Sequence, residues 1–333
     1  MTEPTLNYVN CRDANGGHRM AYWQWGRLDA PHVIVCAHGL SRQGRDFDTL
    51  AQALCDAGDR LEGGVRIICP DVAGRGASDW LKDPMGYQVP AYAADMLAML
   101  GQLHAQAPIT TLDWVGTSMG GLIGIILCGQ PGLSDAGPPQ GAKAPLGGSA
   151  AREAASVGAP FLPVAIRKLV LNDVGPAIEW QALVRIGQYL GQAGEFESVQ
   201  AAADAMWAVS TGFGPHTPGQ WLALSQHMVR PVSDAPDSKY RLHYDPAMAI
   251  PFRQSSEEAT QQGATMLWQL YDNIQAQTLL IRGANSDLLN PGTAKAMTER
   301  GPRARLVEFA GVGHAPTLIA DDQVAAVTGF LLG

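Results

Sequence analysis

Charge is scarce in this sequence. Only 16% of its 333 residues are Asp, Glu, Lys or Arg, and they leave a net charge of −8. A nucleic-acid binder normally carries a basic face, so nucleic acid is excluded as an expected partner. Long apolar runs are also missing. No stretch approaches the ~18 residues of a membrane span. The opening MTEPTLNYVNCRD has neither the basic start nor the apolar segment of a secretion signal. No membrane partner is expected. Cysteine is limited to Cys11, Cys36, Cys55, Cys69 and Cys128, an odd number with no C-x-x-C spacing. That pattern argues against a disulfide framework and for buried, reduced thiols. A cytoplasmic protein is the expectation. The eight histidines include no H-x-x-x-H pair and the cysteines are scattered, so neither a metal nor a cofactor is expected.

Apolar residues make up 46% of the chain, enough for a large buried core. They fall in two alternating patterns. Segments 20–26, 32–39, 65–72, 110–118, 167–175, 277–283 and 304–311 are short, β-branched or continuously apolar, as strands buried on both faces should be. Segments 47–58, 90–103, 119–130 and 322–332 repeat apolar residues at helical spacing. Over 90–103 the stripe is Tyr92, Met96, Met99, Leu100 and Leu103. This alternation predicts an α/β fold: a mostly parallel central sheet flanked by helices.

Two segments interrupt it. The stretch 131–166 contains a Gly/Ala/Pro-rich run that reads as a flexible loop. It joins a helix end to a strand start, which lies opposite the strand carboxyl ends where ligands bind, so it is not expected to be a lid. The stretch 176–270 holds helical patterns and follows a strand carboxyl end, so it is expected to be a helical cap. Residues 1–175 and 271–333 then form the core. Trp180, Trp207, Trp221 and Trp268 fall in the cap, where packing is the expected role of each.

The chemistry centres on Gly116-Thr117-Ser118-Met119-Gly120, a G-x-S-x-G. A chain with 38 glycines would produce about 0.2 such matches by chance, so the motif alone is weak. Its place between an apolar strand and a helix is the specific part, because a nucleophile elbow needs a sharp strand-to-helix turn with small neighbours. The Asp71-x-x-Gly74-x-Gly76-x-Ser78 run has neither the P-loop ending nor the dinucleotide-binding spacing, so it reads as turn chemistry.

With His38-Gly39, Asp71 to Ser78, Gly116 to Gly120, Gly283-Ala-Asn-Ser-Asp287 and Gly311-Val-Gly-His314 in this order after strands, the sequence resembles the α/β-hydrolase superfamily, in its serine-nucleophile branch with a helical cap. The resemblance implies Ser118 as nucleophile and His314 as general base. It implies Asp287 as the acid that orients His314, with Asp173 as the alternative. It implies an oxyanion hole from the backbone N–H groups of Leu40 and Met119, and a structural role for His38. The single glycine of His-Gly-Leu-Ser departs from the HGGG loop of lipase-like branches. Serine at the elbow argues against the dehalogenases and epoxide hydrolases of this fold, which use Asp.

The expected activity is hydrolysis of a carboxylic ester, lactone or thioester of a small-molecule substrate through an acyl-enzyme. A carbon–carbon bond hydrolase of ring-cleavage products is the alternative. Those relatives also carry Ser-Met-Gly-Gly, but with Asn before the serine and an aromatic after the histidine, where this chain has Thr117 and Ala315. A cofactor-free haloperoxidase or perhydrolase, and a ligand-binding receptor on the same fold, complete the alternatives. Oligomeric state is not legible.

Overall fold

The computed structural model describes residues 3–133, 162–192 and 194–333. Most of the Gly/Ala/Pro-rich segment read at 131–166 lies outside them. The chain opens with β1 (Thr5–Cys11) and β2 (His18–Gly26), an antiparallel pair. Then come β3 (His32–Ala37), α1 (Asp48–Gly58), β4 (Arg66–Asp71), α2 (Val89–Gln106), β5 (Thr111–Thr117), α3 (Met119–Gly129) and β6 (Ile166–Asn172). These match the strands and helices expected from periodicity; β1 was not anticipated.

The next stretch supplies α4 (Trp180–Tyr189), β7 (Glu195–Phe196), α5 (Val199–Ser210), α6 (Pro218–Gln226), β8 (Val229–Pro231), β9 (Tyr240–Leu242), α7 (Ala249–Arg253) and α8 (Glu257–Asp272). The chain closes with β10 (Gln277–Gly283), α9 (Pro291–Glu299), β11 (Arg305–Phe309) and α10 (Asp321–Leu332).

Eight strands form one sheet in the order β1-β2-β4-β3-β5-β6-β10-β11, parallel from β4 through β11. Alternate residues of the central strands feed two cores. On β3, Val33 and Val35 join Met96, Leu100 and Ile123 on the face covered by α2 and α3, while Ile34 and Cys36 join Leu50, Leu54, Val327 and Leu331 under α1 and α10. All are essentially solvent-free. Burial on both faces explains why these strands read as unbroken apolar runs.

The chain passes from β3 to β4 on one side, then returns to place β5 on the other. Loops leaving β3 and β5 therefore diverge, and the crevice between them opens at the strand carboxyl ends. Two features of 176–270 concern this crevice. Helices α4 and α5 contribute to the cavity above it, and β7, β9 and β8 form a small antiparallel sheet beside them. Helix α8 instead lies on α3: a Cβ on Gly129 would sit 2.1 Å from the Leu270 carbonyl oxygen, and Leu267 and Leu270 pack on the main core.

Candidate active site

Ser118 occupies the corner between β5 and α3. Its backbone sits at φ 52°, ψ −116°, a left-handed conformation that costs a serine about 1–3 kcal/mol and persists only where its surroundings enforce it. The enforcement is visible. Its N–H donates to the Asn172 carbonyl at 3.0 Å, and its carbonyl accepts from the N–H groups of Gly121 and Leu122. A side chain on Gly116 would meet the Gly120 carbonyl oxygen at 2.3 Å, and one on Gly120 the Ala37 carbonyl oxygen at 2.0 Å. Both motif glycines are therefore required by close backbone approach. The corner aims the Ser118 hydroxyl above the sheet.

His314 follows β11 in a glycine-rich loop. Its Nε2 lies 3.0 Å from Ser118 Oγ, and its Nδ1 lies 2.7 Å from Oδ2 of Asp173. Asp173 directly follows β6, the immediate neighbour of β5, and is fully buried. Its Oδ1 accepts the Gly283 N–H at 2.8 Å, and its Oδ2 also accepts the Ser286 hydroxyl at 2.6 Å. The carboxylate is thus held on both oxygens.

The expectation of Asp287 on His314 is corrected. Asp287 is half exposed and accepts two hydrogen bonds from Arg185, from Nε at 2.7 Å and Nη2 at 3.0 Å. The reason is the course of the loop after β10 and not its distance from β5, since β11, which leads to His314, lies one strand further still. The loop leaving β10 turns Ser286 inward onto Asp173 and Asp287 outward, before Leu288 and Leu289 return to the interior. Asp173, weighed as the alternative, takes the place beside His314.

Leu40 and Met119 flank the same corner. Met119 is the first residue of α3, so its N–H has no carbonyl one turn earlier to bond. Two buried side chains hold this edge. Neutral His38 donates from Nδ1 to the Gly39 carbonyl at 2.7 Å and accepts the Val72 N–H at Nε2 at 2.9 Å. Arg75 was missed from the sequence, where it reads as one residue of a glycine-rich turn. It is completely buried. Its Nε donates to the Leu40 carbonyl at 2.8 Å, its Nη1 to the Ala73 carbonyl at 2.6 Å, and its Nη2 lies 3.6 Å from the Met119 sulfur. The rings of Tyr92 and Tyr87 face the guanidinium. One cation therefore braces both Leu40 and Met119. Asp71 anchors the turn by accepting from the N–H groups of Gly44 and Ala77 and from Trp23 Nε1, and burial pushes its pKa up to about 6.

Burial drives the His38 pKa down to about 3 from its ordinary 6.5. A histidine held neutral in the fold takes up its proton on unfolding. Its contribution is complete above pH ~6.5 and is lost as the pH falls toward ~3. Asp71, with its pKa raised, works in the opposite direction, so a variant isolates the histidine. In urea unfolding at pH about 7 and about 5.5, the wild type should lose about 1 kcal/mol more stability than His38→Gln. Glutamine keeps a donor and an acceptor but does not titrate. Equal losses would contradict this role.

A cavity of about 380 Å³ opens over Ser118 and His314. Its walls are mostly apolar, with Ile186, Met206, Val209 and Phe213 among them. None of Trp180, Trp207, Trp221 and Trp268 lines it. Trp221 is buried against Ala203 and Leu224 with Trp207 packed beside it, and Trp268 stacks on Arg300. Among the described residues one group brings metal-ligating atoms together: Cys11, His18 and Asp95, within 4.8 Å of one another. It joins the β1–β2 hairpin to α2, remote in the sheet from Ser118. There His18 bridges Asp95 at 3.2 Å and Asp13 at 3.1 Å, so these donors serve one another. Among the described residues no helix is long and apolar enough to cross a membrane.

A strained serine above a parallel sheet, hydrogen-bonded to a histidine that is in turn hydrogen-bonded to a carboxylate, both following later strands, has a counterpart in known proteins. The sequence model of the alpha/beta hydrolase family matches residues 34–327, and the chain belongs to that family. It is 42% identical over 330 residues to the 3-hydroxybutyrate-oligomer hydrolase of Cupriavidus necator, spanning 99% of this chain and 98% of that protein. Among solved structures, an alpha/beta hydrolase from Novosphingobium aromaticivorans superposes with a TM-score of 0.72 at 30% identity, covering 100% of this chain and 99% of the other. The thioesterase domain from the curacin biosynthetic pathway gives 0.65 at 20% identity over 99% and 100%, a likeness of fold alone. The chain is a hydrolytic enzyme of this fold.

Proposed function

We propose that the protein hydrolyses carboxylic esters of short hydroxy acids, oligomers of 3-hydroxybutyrate among them, through an acyl-enzyme on Ser118. The observation that carries the mechanism is the hydrogen-bonded chain from Ser118 Oγ to His314 at 3.0 Å and from His314 to Asp173 at 2.7 Å. Ser118 Oγ attacks the ester carbonyl while His314 Nε2 takes its proton. Asp173 keeps the ring in the tautomer that leaves Nε2 free and stabilises the imidazolium. The tetrahedral oxyanion is held by the N–H groups of Leu40 and Met119, the donors braced by Arg75. His314 then protonates the departing alcohol. A water, deprotonated by the same histidine, releases the acid.

The substrate class rests on the 3-hydroxybutyrate-oligomer hydrolase that this chain resembles over nearly its whole length. Within residues 176–270, the part from α4 through β9 acts as the cap that closes the cavity and selects the ester; Ile186, Met206 and Val209 come from it. The five free cysteines fit a reducing compartment, the cytoplasm.

A substrate panel tests the reaction. Short nitrophenyl esters and 3-hydroxybutyrate dimers and trimers should be turned over, and a vinylogous diketone should not. Fast turnover of the diketone without ester hydrolysis would make the protein a carbon–carbon bond hydrolase instead.

A further inference from the structure

We propose that the cavity reads a free carboxylate on the substrate, and that Arg185 is the side chain that binds it. This rests on the ester-hydrolase reading above and adds to it the ester's second functional group. The chain carries a net charge of −8, yet the charged side chains lining the cavity are Arg42 and Arg185, with no Asp or Glu among the described lining residues. Each arginine is countered by a carboxylate outside the lining, Asp46 and Asp287, so what the wall offers is directed guanidinium donors.

The two arginines differ in what they can still do. Arg42 is committed: its Nε and Nη2 donate to Asp46 at 2.6 and 2.8 Å, and Nη2 also reaches the Leu224 carbonyl at 3.1 Å. Its side chain is 13% exposed and its guanidinium lies over the Phe213 ring. Arg185 is 41% exposed. Asp287 holds its Nε and Nη2 from outside the cavity wall, so the Nη1 edge is not used by that carboxylate. An ion pair between two such exposed groups contributes little to stability, and the guanidinium can shift toward or share itself with a second carboxylate. A planar guanidinium suits a carboxylate in two-pronged geometry. Tyr189, one helical turn further along α4, lines the same wall with its phenol.

An oligomer of a hydroxy acid has one free carboxylate, at the end that supplies the alcohol of its terminal ester. Anchoring that group on Arg185 presents a particular ester bond to Ser118. The enzyme then works from the carboxyl end and spares esters whose terminal carboxylate is masked.

The test compares the 3-hydroxybutyrate dimer with its methyl ester, which masks that charge, and follows cleavage of the internal ester alone, read for the methyl ester as release of methyl 3-hydroxybutyrate. In the wild type kcat/KM should favour the free acid by at least about tenfold. In Arg185→Met the preference should collapse toward unity, through KM for the acid, while the methyl ester changes less than about threefold. Arg185→Lys should restore part of the preference, because it returns the charge without the fork. The KM for the acid should also rise with ionic strength in the wild type and not in Arg185→Met. Turnover of both esters with no preference, or a preference that survives in Arg185→Met, would overturn the role of Arg185 alone. An equal loss for both esters in Arg185→Met and Arg185→Lys would do the same. No hydrolysis of either ester by the wild type would overturn the ester-hydrolase reading itself.

Discussion

Asp173→Asn is expected to lower kcat by about 10⁴-fold, the size of effect seen when a triad carboxylate becomes an amide. Asn keeps the volume and the acceptor for the Gly283 N–H, so the loop between β10 and α9 should hold. What changes is the group facing His314 Nδ1. An amide can donate there, which favours the tautomer with the proton on Nε2, and a protonated Nε2 cannot accept the Ser118 proton. The negative charge that stabilises the imidazolium disappears as well. The paired variant is Asp287→Asn. Asp287 contacts Arg185 and not His314, so its kcat on a neutral nitrophenyl ester should fall by at most about tenfold. Steady-state kinetics on both proteins, with thermal melts to show that they are folded, separate the two carboxylates. A loss of about 10⁴ in Asp287→Asn, with Asp173→Asn nearly active, would return the acid to the position expected from sequence.

That contrast locates the limit of what the residues alone could say. Asp173 and Asp287 both follow apolar strands closely, and nothing in their local sequence ranks them. The deciding fact is where the loop after β10 points, with Ser286 turned in to Asp173 and Asp287 turned out to Arg185, which only the folded loop shows. The Ser118 corner was legible because its requirements are local: a strand, two glycines at close backbone contacts and a helix start. His314 was legible because it ends the ordered set of motifs and is the sole histidine after His243. Arg75 was not. A lone arginine in a glycine-rich turn looks exposed, and only the fold reveals it buried under Leu40 and Met119.

The same division runs through the fold. Strands buried on both faces, β3, β4, β5, β6 and β10, stood out as apolar runs. β1 did not, because it is an edge strand with only Val9 and Cys11 buried and a largely polar remainder. In α8, Leu267, Leu270 and Tyr271 carry the packing, and this helix was not singled out within the 176–270 stretch. The tryptophans behaved as packing residues do, and the cavity took its shape from smaller side chains.

Ser118→Ala should be the most damaging substitution in the protein, removing at least about 10⁴-fold of kcat while the cavity and the donors at Leu40 and Met119 stay in place. Its thermal stability should be close to the wild type, since among the described residues the exchanged hydroxyl hydrogen-bonds only His314. Activity loss can have other origins, so the covalent intermediate itself is the decisive observable. Incubating the enzyme with a fluorophosphonate and mapping the adduct by peptide mass spectrometry measures it directly. The adduct should lie on the Ser118 peptide, at one equivalent per chain, with a rate that falls sharply in Asp173→Asn and an absence in Ser118→Ala. An active enzyme that remains unlabelled at Ser118, or that is labelled at another residue with equal loss of activity, would contradict the assignment of Ser118 as nucleophile.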